Sequence, residues 1–252
     1  MRRALSAAVA AALLAALTAC GSNTDSTLRV GTLSDAPPNV YLDKGQFTGF
    51  DNELLRAIAA KENLKLEFAS TDFSALLGQV ASGRYDIGSS AIAQTEERKK
   101  TVDFSAAYDF ETMSIQAKQG TPITGEQALA GKRVAVIQAT VGDNWLTTKV
   151  PAAQAVRFPD YASALAALKT GAVDAYILDQ SIAEKNVAAN PGLVVVQSFT
   201  TDVPHGFAVK KGDTQLLGKL NDGLSQVIKD GTWLKLHRQF LPTAPVPAGF
   251  GS

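Results

Sequence analysis

Apolar positions along the chain recur with a period of two in some stretches and near 3.6 in others, which predicts strands and helices in turn. The predicted strands are 28–33, 64–68, 113–118, 133–137, 155–158, 193–196 and 207–209. Helices are predicted from a cap at Asp51, from Thr95, over 140–150, over 181–189, from Thr214 to Gly231 and over 233–240. This alternation indicates an α/β fold with mostly parallel sheets and leaves other α/β topologies open.

One unit of helix, glycine and strand occurs twice, 88 residues apart. The copies run over 72–86 and 160–174, in a register that pairs Phe73 with Tyr161. Such a repeat predicts two similar lobes, unless two amphipathic helices resemble each other by chance. Ligands of open α/β sheets bind outside the carboxyl ends of strands, so we expect one cleft between the lobes, bordered on one side by Asp179.

The first 27 residues indicate an export and anchoring signal. Two arginines precede an apolar run over 4–19, which at 16 residues is shorter than a membrane-spanning helix of roughly 20. Residues 17–20 resemble the lipobox of bacterial lipoproteins. This resemblance implies a signal peptide over 1–19 and a lipid on Cys20, the only cysteine, followed by a tether to residue 27. An uncleaved N-terminal anchor is the alternative, and both place the globular part outside the cytoplasm.

Charge and motifs exclude several classes of function. Without residues 1–19 the chain keeps 22 basic and 24 acidic residues, a net charge of −2, whereas nucleic acid requires a basic face. The sequence has no phosphate loop and no nucleophile elbow, and His205 and His237 lack companions at metal-ligand spacing. We therefore predict no catalytic residue, no cofactor and no metal. The proline-rich residues 242–252 predict a flexible tail.

Five segments, in order, resemble the bacterial extracellular solute-binding proteins of family 3. They are Gly49-Phe50-Asp51, 82–86, Arg98 to Ser105, 171–179 and 205–213. The resemblance spans about Leu28 to Phe240 and implies a two-lobed type II periplasmic-binding-protein fold. In that fold two open, mostly parallel sheets are joined by a two-segment hinge. The implied lobes are 28–110 with 205–241, and 111–204.

The same resemblance implies a site for an amino acid or a related zwitterion. Arg98 would hold the α-carboxylate, which a guanidinium matches with two hydrogen bonds; a salt bridge to a neighbouring acid is the alternative. Asp179 would accept the ammonium group, or cap the following helix, or both. Phe73 would form an aromatic wall over the ligand, or pack in the core. The remaining implied contacts are Ser90, Ala91, Ala93, Thr140 and Val141, the last two at a helix start.

Three positions depart from the family pattern. Ala93 stands where the family usually has a hydroxyl residue, Ala36 where it often has an aromatic residue, and Leu33 where a polar residue is common. The grip on an α-amino acid is thus mostly retained, while the pocket for its side chain is atypical and the amino acid stays unnamed. Candidates to line that pocket are Asp35, Asn39 and Tyr41.

The implied function is that of a lipid-anchored, monomeric receptor of an ABC importer, which binds an amino acid and docks on the permease and ATPase complex. Its membrane contact would be the lipid alone. Two alternatives remain open. One is an extracytoplasmic enzyme similar to cyclohexadienyl dehydratases, which would need a general acid placed in the cleft besides Asp179. The other is a sensor module that binds without transport.

Overall fold

The structure, a computed structural model, describes residues 27–250, leaving aside the side chain of Asp202. The predicted signal peptide, Cys20 and the tether up to residue 26 lie outside the described residues. Across the described part of the chain, no helix has both the length and the apolar character needed to cross a bilayer.

Strands and helices alternate along most of the chain. The strands are β1 (Leu28–Thr32), β2 (Asp35–Ala36), β3 (Val40–Asp43), β4 (Gln46–Thr48), β5 (Leu66–Ser70), β6 (Ile87–Ser89), β7 (Val102–Phe104), β8 (Asp109–Lys118), β9 (Arg133–Ile137), β10 (Gln154–Phe158), β11 (Ala175–Asp179), β12 (Leu193–His205) and β13 (Ala208–Lys210). The helices are α1 (Phe50–Lys61), α2 (Phe73–Ala81), α3 (Glu96–Lys99), α4 (Val141–Lys149), α5 (Tyr161–Thr170), α6 (Gln180–Ala189), α7 (Thr214–Lys229) and α8 (Thr232–Phe240).

Two five-stranded sheets form the frame of two lobes. The first has the order β5-β1-β6-β13-β7 and the second the order β10-β9-β11-β8-β12. In the first sheet β5, β1 and β6 are parallel, and β13 runs antiparallel to β6. In the second sheet β10, β9 and β11 are parallel, and β8 runs antiparallel to β11. The predicted two-lobed α/β architecture is confirmed. We call the body around the first sheet lobe 1 and that around the second lobe 2.

The lobes are connected through β8 and β12, which pair along most of their length. The antiparallel register runs from Leu193 opposite Lys118 to His205 opposite Asp109. Both strands are longer than the predicted 113–118 and 193–196. Apolar alternation is lost after Val196, but the ladder of backbone hydrogen bonds extends the strand through polar residues.

Two predicted helix caps are wrong. Helix α1 starts one residue before Asp51, with Gly49 at the N-cap, so Asp51 lies inside the first turn and is buried. Helix α7 is capped by Asp213, whose carboxylate accepts a hydrogen bond from Leu216 N, and not by Thr214. The predicted cap at Thr95 is confirmed, because its side chain accepts from Arg98 N. The short strand β7 and the small sheet of β2, β3 and β4 lack a sequence prediction.

The sequence repeat corresponds to a repeated structural device. In lobe 1 the guanidinium of Arg29 binds the carboxylate of Asp86 and, at 2.8 Å, the carbonyl oxygen of Gly83. In lobe 2 Arg133 binds Asp174 and, at 2.9 Å, the carbonyl of the glycine that ends α5. Each aspartate also accepts the backbone N–H of its arginine. This Arg–Asp clasp ties β1 in lobe 1 and β9 in lobe 2 to the turn after the repeated helix.

The lobes are in contact across the cleft. Asp35 Oδ2 accepts a hydrogen bond of 2.9 Å from Ala162 N, and Asn39 Oδ1 accepts one of 3.0 Å from the Ser181 hydroxyl. One apolar cluster also contains buried residues of both lobes. Beyond α8, the Thr243 hydroxyl donates to Glu184 of lobe 2. These contacts describe a closed arrangement.

Each lobe holds one aromatic stack built on a tryptophan. Trp233 is fully buried in lobe 1, where it stacks on His237 and meets the edge of Phe50. Trp145 on α4 of lobe 2 stacks on Phe199, with ring centroids 4.5 Å apart.

Candidate functional site

A small cavity lies between the lobes at the carboxyl ends of the central strands. Seven of the eight residues expected to bind a ligand line it, and Ala93 lies just behind. Lobe 1 contributes Phe73, Ser90, Ala91 and Arg98. The structure thus brings the predicted residues to one place, while their roles remain predictions.

Arg98 carries the fixed positive charge of this cavity. One guanidinium nitrogen donates 2.8 Å to the carbonyl of Ala93, and another donates 3.1 Å to Ala139 across the cleft. The guanidinium also lies over the ring of Phe73, 5.0 Å from its centroid, at cation–π distance. The alternative partner, Glu97, forms an ion pair with Lys100. Arg98 is therefore oriented by carbonyl oxygens and an aromatic face, which leaves its charge available to an anion.

The start of α4 faces Arg98 from lobe 2. Thr140 caps this helix, because its hydroxyl oxygen accepts from Asp143 N. Val141 is the first helical residue, so its N–H lacks an acceptor within the helix and can bind an anion. The turn before the cap places Ala139 at a φ of 65°, which directs its carbonyl to Arg98. Together, Arg98 and the helix start suit a carboxylate.

Asp179 lies at the end of β11, on the lobe 2 side of the cavity. It occupies the N-cap position of α6, yet its carboxylate accepts a hydrogen bond of 3.2 Å from the Tyr161 hydroxyl. Tyr161 also lines the cavity, and it is the repeat partner of Phe73. The two aromatic rings thus border the cleft from opposite lobes, as the repeat register implies.

A second carboxyl group, from Glu111 on β8, lies beside Asp179 in the cavity wall. Its Oε2 is 2.8 Å from His205 Nε2, and both side chains are buried. The pair joins β8 to β12, the two strands that connect the lobes. Glu111 lacked a sequence signal because the predicted strand began at Met113, and the companion of His205 was likewise unrecognised.

Burial and neighbouring charges shift the ionisation of this group of residues. Desolvation and the adjacent Glu111 carboxylate hold the pKa of Asp179 well above its usual range. Hydrogen bonding to Glu111, together with the charge of that carboxylate, raises the pKa of His205 to about 9 against the effect of burial. Burial alone would raise the pKa of Glu111, but the hydrogen bond and charge of His205, together with Asp179 and Arg98, outweigh it and lower the pKa. At neutral pH His205 and Glu111 therefore form an ion pair. Within residues 27–250, no three His, Cys, Asp or Glu side chains are grouped as a metal ion would require.

The loop after β6 forms part of the lobe 1 wall of the cavity. Ser90 is buried, and Ala91 adopts a φ of 43°, a left-handed conformation that is unfavourable for alanine. The backbone N–H of Ala91 donates to the buried carboxylate of Asp51, which also accepts from the Tyr108 hydroxyl at 2.8 Å. Burial raises the pKa of Asp51 to about 6. This hydrogen bond holds the loop in its strained conformation next to Arg98.

The three candidates for the side-chain pocket lie apart from the cavity lining. Asp35 and Asn39 make the contacts between lobes described above, and Tyr41 lies on β3, the middle strand of the small sheet. Desolvation raises the pKa of Asp35, which approaches the start of α5. The other apolar residues that line the cavity are instead Met113, Ile137, Ile177 and Leu178.

Comparisons with known proteins identify relatives along nearly the whole chain. Residues 28–243 match the family model described as bacterial extracellular solute-binding proteins, family 3. The probable amino-acid-binding protein YxeM of Bacillus subtilis is 32% identical over 245 residues, covering 92% of each chain. The ABC transporter arginine-binding protein 1 of Escherichia coli is 28% identical over 240 residues, covering 93% of this chain and 98% of that one.

Solved structures with a similar fold also include amino-acid-binding proteins. An ancestral arginine-binding protein bound to arginine superimposes with a TM-score of 0.82 at 35% identity, over 85% of this chain and 98% of that one. The ancestral amino-acid-binding protein AncCDT-1, described as a precursor of cyclohexadienyl dehydratase, has a TM-score of 0.77 at 35% identity, over 85% and 94% of the two chains.

Proposed function

The chain belongs to the bacterial extracellular solute-binding proteins of family 3, and we propose that it is the amino-acid-binding component of an ABC importer. The observation that carries this proposal is the placement of opposite charges in one closed cleft. Arg98 and the start of α4 offer donors at one end, and Asp179 and Glu111 offer acceptors at the other. An α-amino acid carries a carboxylate and an ammonium group on adjacent atoms and matches this arrangement.

In this proposal each predicted residue has a defined task. Arg98 and the N–H of Val141 bind the α-carboxylate, with backbone groups near Ala91 completing that end. Asp179 accepts the ammonium group, and Phe73 covers one face of the ligand. Ala93 contributes by holding the Arg98 guanidinium through its carbonyl, and Ser90 and Thr140 shape the two loops.

Binding is coupled to closure. Lobe 1 (28–110 and 205–241) and lobe 2 (111–204) would rotate about β8 and β12 near Asp109 and His205, where the two strands pair. A ligand that contacts Arg98 on one lobe and Asp179 on the other favours the closed state by its differential affinity. The closed form would then dock on the permease and ATPase complex.

The proposal includes the anchor and the oligomeric state. Cys20 would carry the lipid that holds the protein at the outer face of the membrane, after removal of residues 1–19. The tether to residue 27 would separate the lobes from the bilayer, and the protein would act as a monomer. Metabolic labelling with a radioactive fatty acid tests the anchor, because Cys20→Ser should abolish incorporation.

A thermal-shift screen against the twenty amino acids tests the binding function. A ligand at 100 times its dissociation constant adds about 2.7 kcal/mol to the free energy of unfolding. For a chain of this size that corresponds to an increase in Tm of about 5–10 °C. Failure of every amino acid to raise Tm, in protein shown to be folded by circular dichroism, would contradict the proposal.

A dehydratase remains a second candidate because of one observation. Glu111 supplies a second acid in the cleft beside Asp179, which such an enzyme would need. Incubation with prephenate or arogenate, followed by detection of the aromatic product, separates the two functions. We propose that no product forms, since the Glu111 carboxylate is paired with His205 and is not a free general acid.

A further inference from the structure

Two carboxyl groups share the ammonium end of the cleft. Glu111 from β8 and Asp179 from β11 both line the cavity, and the two carboxyl groups lie close enough for each to affect the ionisation of the other. Two ionised carboxylates repel each other, and neither has a proton to donate to the other. One proton held by the pair is therefore favoured.

The surroundings decide which carboxyl holds that proton. Glu111 is 2.8 Å from His205 Nε2 in a buried ion pair, and this cation keeps Glu111 ionised. Asp179 faces the negative charge of Glu111, and Tyr161 donates a single hydrogen bond to it at 3.2 Å. The proton accordingly belongs on Asp179, in agreement with the raised pKa of that group.

Other titratable groups around the pair also affect the ionisation of its two carboxyl groups. Those that face it from the packed elements are Arg98, Tyr108, Asp109, Tyr161, Tyr176 and His205. The tyrosines stay neutral, because burial raises the pKa of each of them. Arg98 and His205 are then the cations that oppose the carboxyl groups of Glu111, Asp179 and Asp109. A proton on Asp179 relieves the repulsion among these three acids.

We propose that the Glu111–Asp179 carboxyl pair holds one proton in the ligand-free protein and exchanges it for the ammonium group of the bound amino acid. This inference rests on the proposed function. In the exchange the O–H bond of Asp179 breaks, the proton passes to solvent, and N–H groups of the ammonium donate to both carboxylates. Glu111 is thereby a second ligand-binding residue beside Asp179, and the site selects for a cationic nitrogen with several N–H donors.

The exchange makes binding depend on pH. Below the pKa of the pair, each ligand bound releases one proton, so the affinity rises roughly tenfold per pH unit. Above that pKa the affinity becomes independent of pH. His205, whose pKa is raised to about 9, stays protonated at neutral pH and below.

Calorimetric titration with L-arginine and L-glutamine measures the exchange. Titrations at several pH values, each in buffers of different ionisation enthalpy, give the number of protons released per molecule bound. We expect about one proton below the pKa of the pair and none above it. Tight binding of either amino acid without proton release at any of these pH values would overturn the exchange while leaving the proposed function intact. Absence of binding by any amino acid would instead count against the proposed function.

Carboxyl carbon NMR of the free protein, labelled at aspartate and glutamate, tests the proton without any ligand. In a pH titration the Asp179 signal should move to the ionised position at a higher pH than the Glu111 signal. Ionisation of Asp179 at the same pH as Glu111, or at a lower pH, would overturn the inference even if no amino acid bound.

Two matched variants assign the effect to Glu111. Glu111→Gln replaces an acceptor of the proton by a neutral amide, so proton release should fall from about one toward zero. Glu67→Gln makes the same change on β5, at an exposed residue outside the cavity lining, and should retain the release. Equal proton release by Glu111→Gln, parent and Glu67→Gln would contradict the role of Glu111. Should Glu111→Gln fail to fold, the NMR titration of the parent still decides.

Discussion

Arg98 and Ala139 are joined by a hydrogen bond of 3.1 Å, although they belong to different lobes. The contact is possible because the turn before α4 has a left-handed residue at Ala139, which points its carbonyl into the cleft. Arg98 therefore both holds a charge for the ligand and takes part in closure. Its removal affects both tasks.

Arg98→Ala should weaken amino-acid binding by about 2–5 kcal/mol, because the ligand carboxylate would lose a charged, two-point partner. Arg98→Lys should recover only part of this, since an ammonium cannot match the fork geometry. Calorimetry with the amino acid found by the thermal-shift screen measures both. Arg84→Ala removes an exposed arginine that stacks on Tyr85 and serves as the control. Unchanged affinity in Arg98→Ala would refute the carboxylate assignment.

Tyr161→Phe should weaken binding more modestly. The substitution removes the hydroxyl that bonds Asp179 at 3.2 Å and preserves the ring in the cavity wall. A net hydrogen bond contributes about 0.5–1.5 kcal/mol, so we expect the Kd to rise about 2- to 12-fold. Tyr85→Phe, at a buried tyrosine of lobe 1 outside the cavity lining, provides the comparison. An affinity loss as large as that of Arg98→Ala would indicate a direct contact of Tyr161 with the ligand.

Asp35→Ala should raise the Kd for the ligand, although Asp35 lies outside the cavity lining. The Asp35 carboxylate binds Ala162 N at the start of α5 only when the lobes are closed, so it stabilises the closed state. We expect a loss of about 0.5–2 kcal/mol in binding free energy. Small-angle X-ray scattering should show more of the open form at subsaturating ligand. Asp43→Ala, at the exposed end of β3, should leave both measurements unchanged.

Stability should fall as pH rises from 6.5 to 9. His205 has a pKa of about 9 in the folded protein, against about 6.5 for an unperturbed histidine, so the folded state binds more protons in this window. The stabilising contribution is fully present below pH 6.5 and is lost as pH passes 9, a decrease of about 3 kcal/mol. Urea unfolding at several pH values measures it. His205→Gln should be less stable at pH 6.5 and should lack this part of the slope; an unaltered slope would exclude His205 as its source.

Much of the architecture was predictable, because local patterns of apolar, glycine and capping residues determine it. The repeat register alone paired Phe73 with Tyr161, and both residues border the cleft. Strand β9 coincides with the predicted 133–137, because its apolar run lies between a glycine turn and a helix cap. The helix predicted to open at Thr140 also matches, and the Thr140 hydroxyl caps it, since a hydroxyl residue before a helix satisfies free N–H groups.

What the sequence did not predict depends on partners far along the chain. Asp35 was expected in the side-chain pocket, but its partner is a backbone N–H 127 residues away. Asp51 was expected to cap α1, yet its carboxylate is buried and binds Ala91, 40 residues later. Glu111 and His205 are 94 residues apart and meet only because β8 and β12 pair. Local periodicity carries no information on such contacts.

The two tryptophan stacks have a practical consequence for spectroscopy. The chain has only two tryptophans, and Trp145 and Trp233 fall one to each lobe. Intrinsic fluorescence is therefore a sum of one emitter per lobe, each quenched or shielded by its own neighbours. With Trp145→Phe the remaining emission comes from the lobe around Trp233, and with Trp233→Phe from the other. The protein thus carries natural optical labels that can tell whether its two halves unfold together or one after the other.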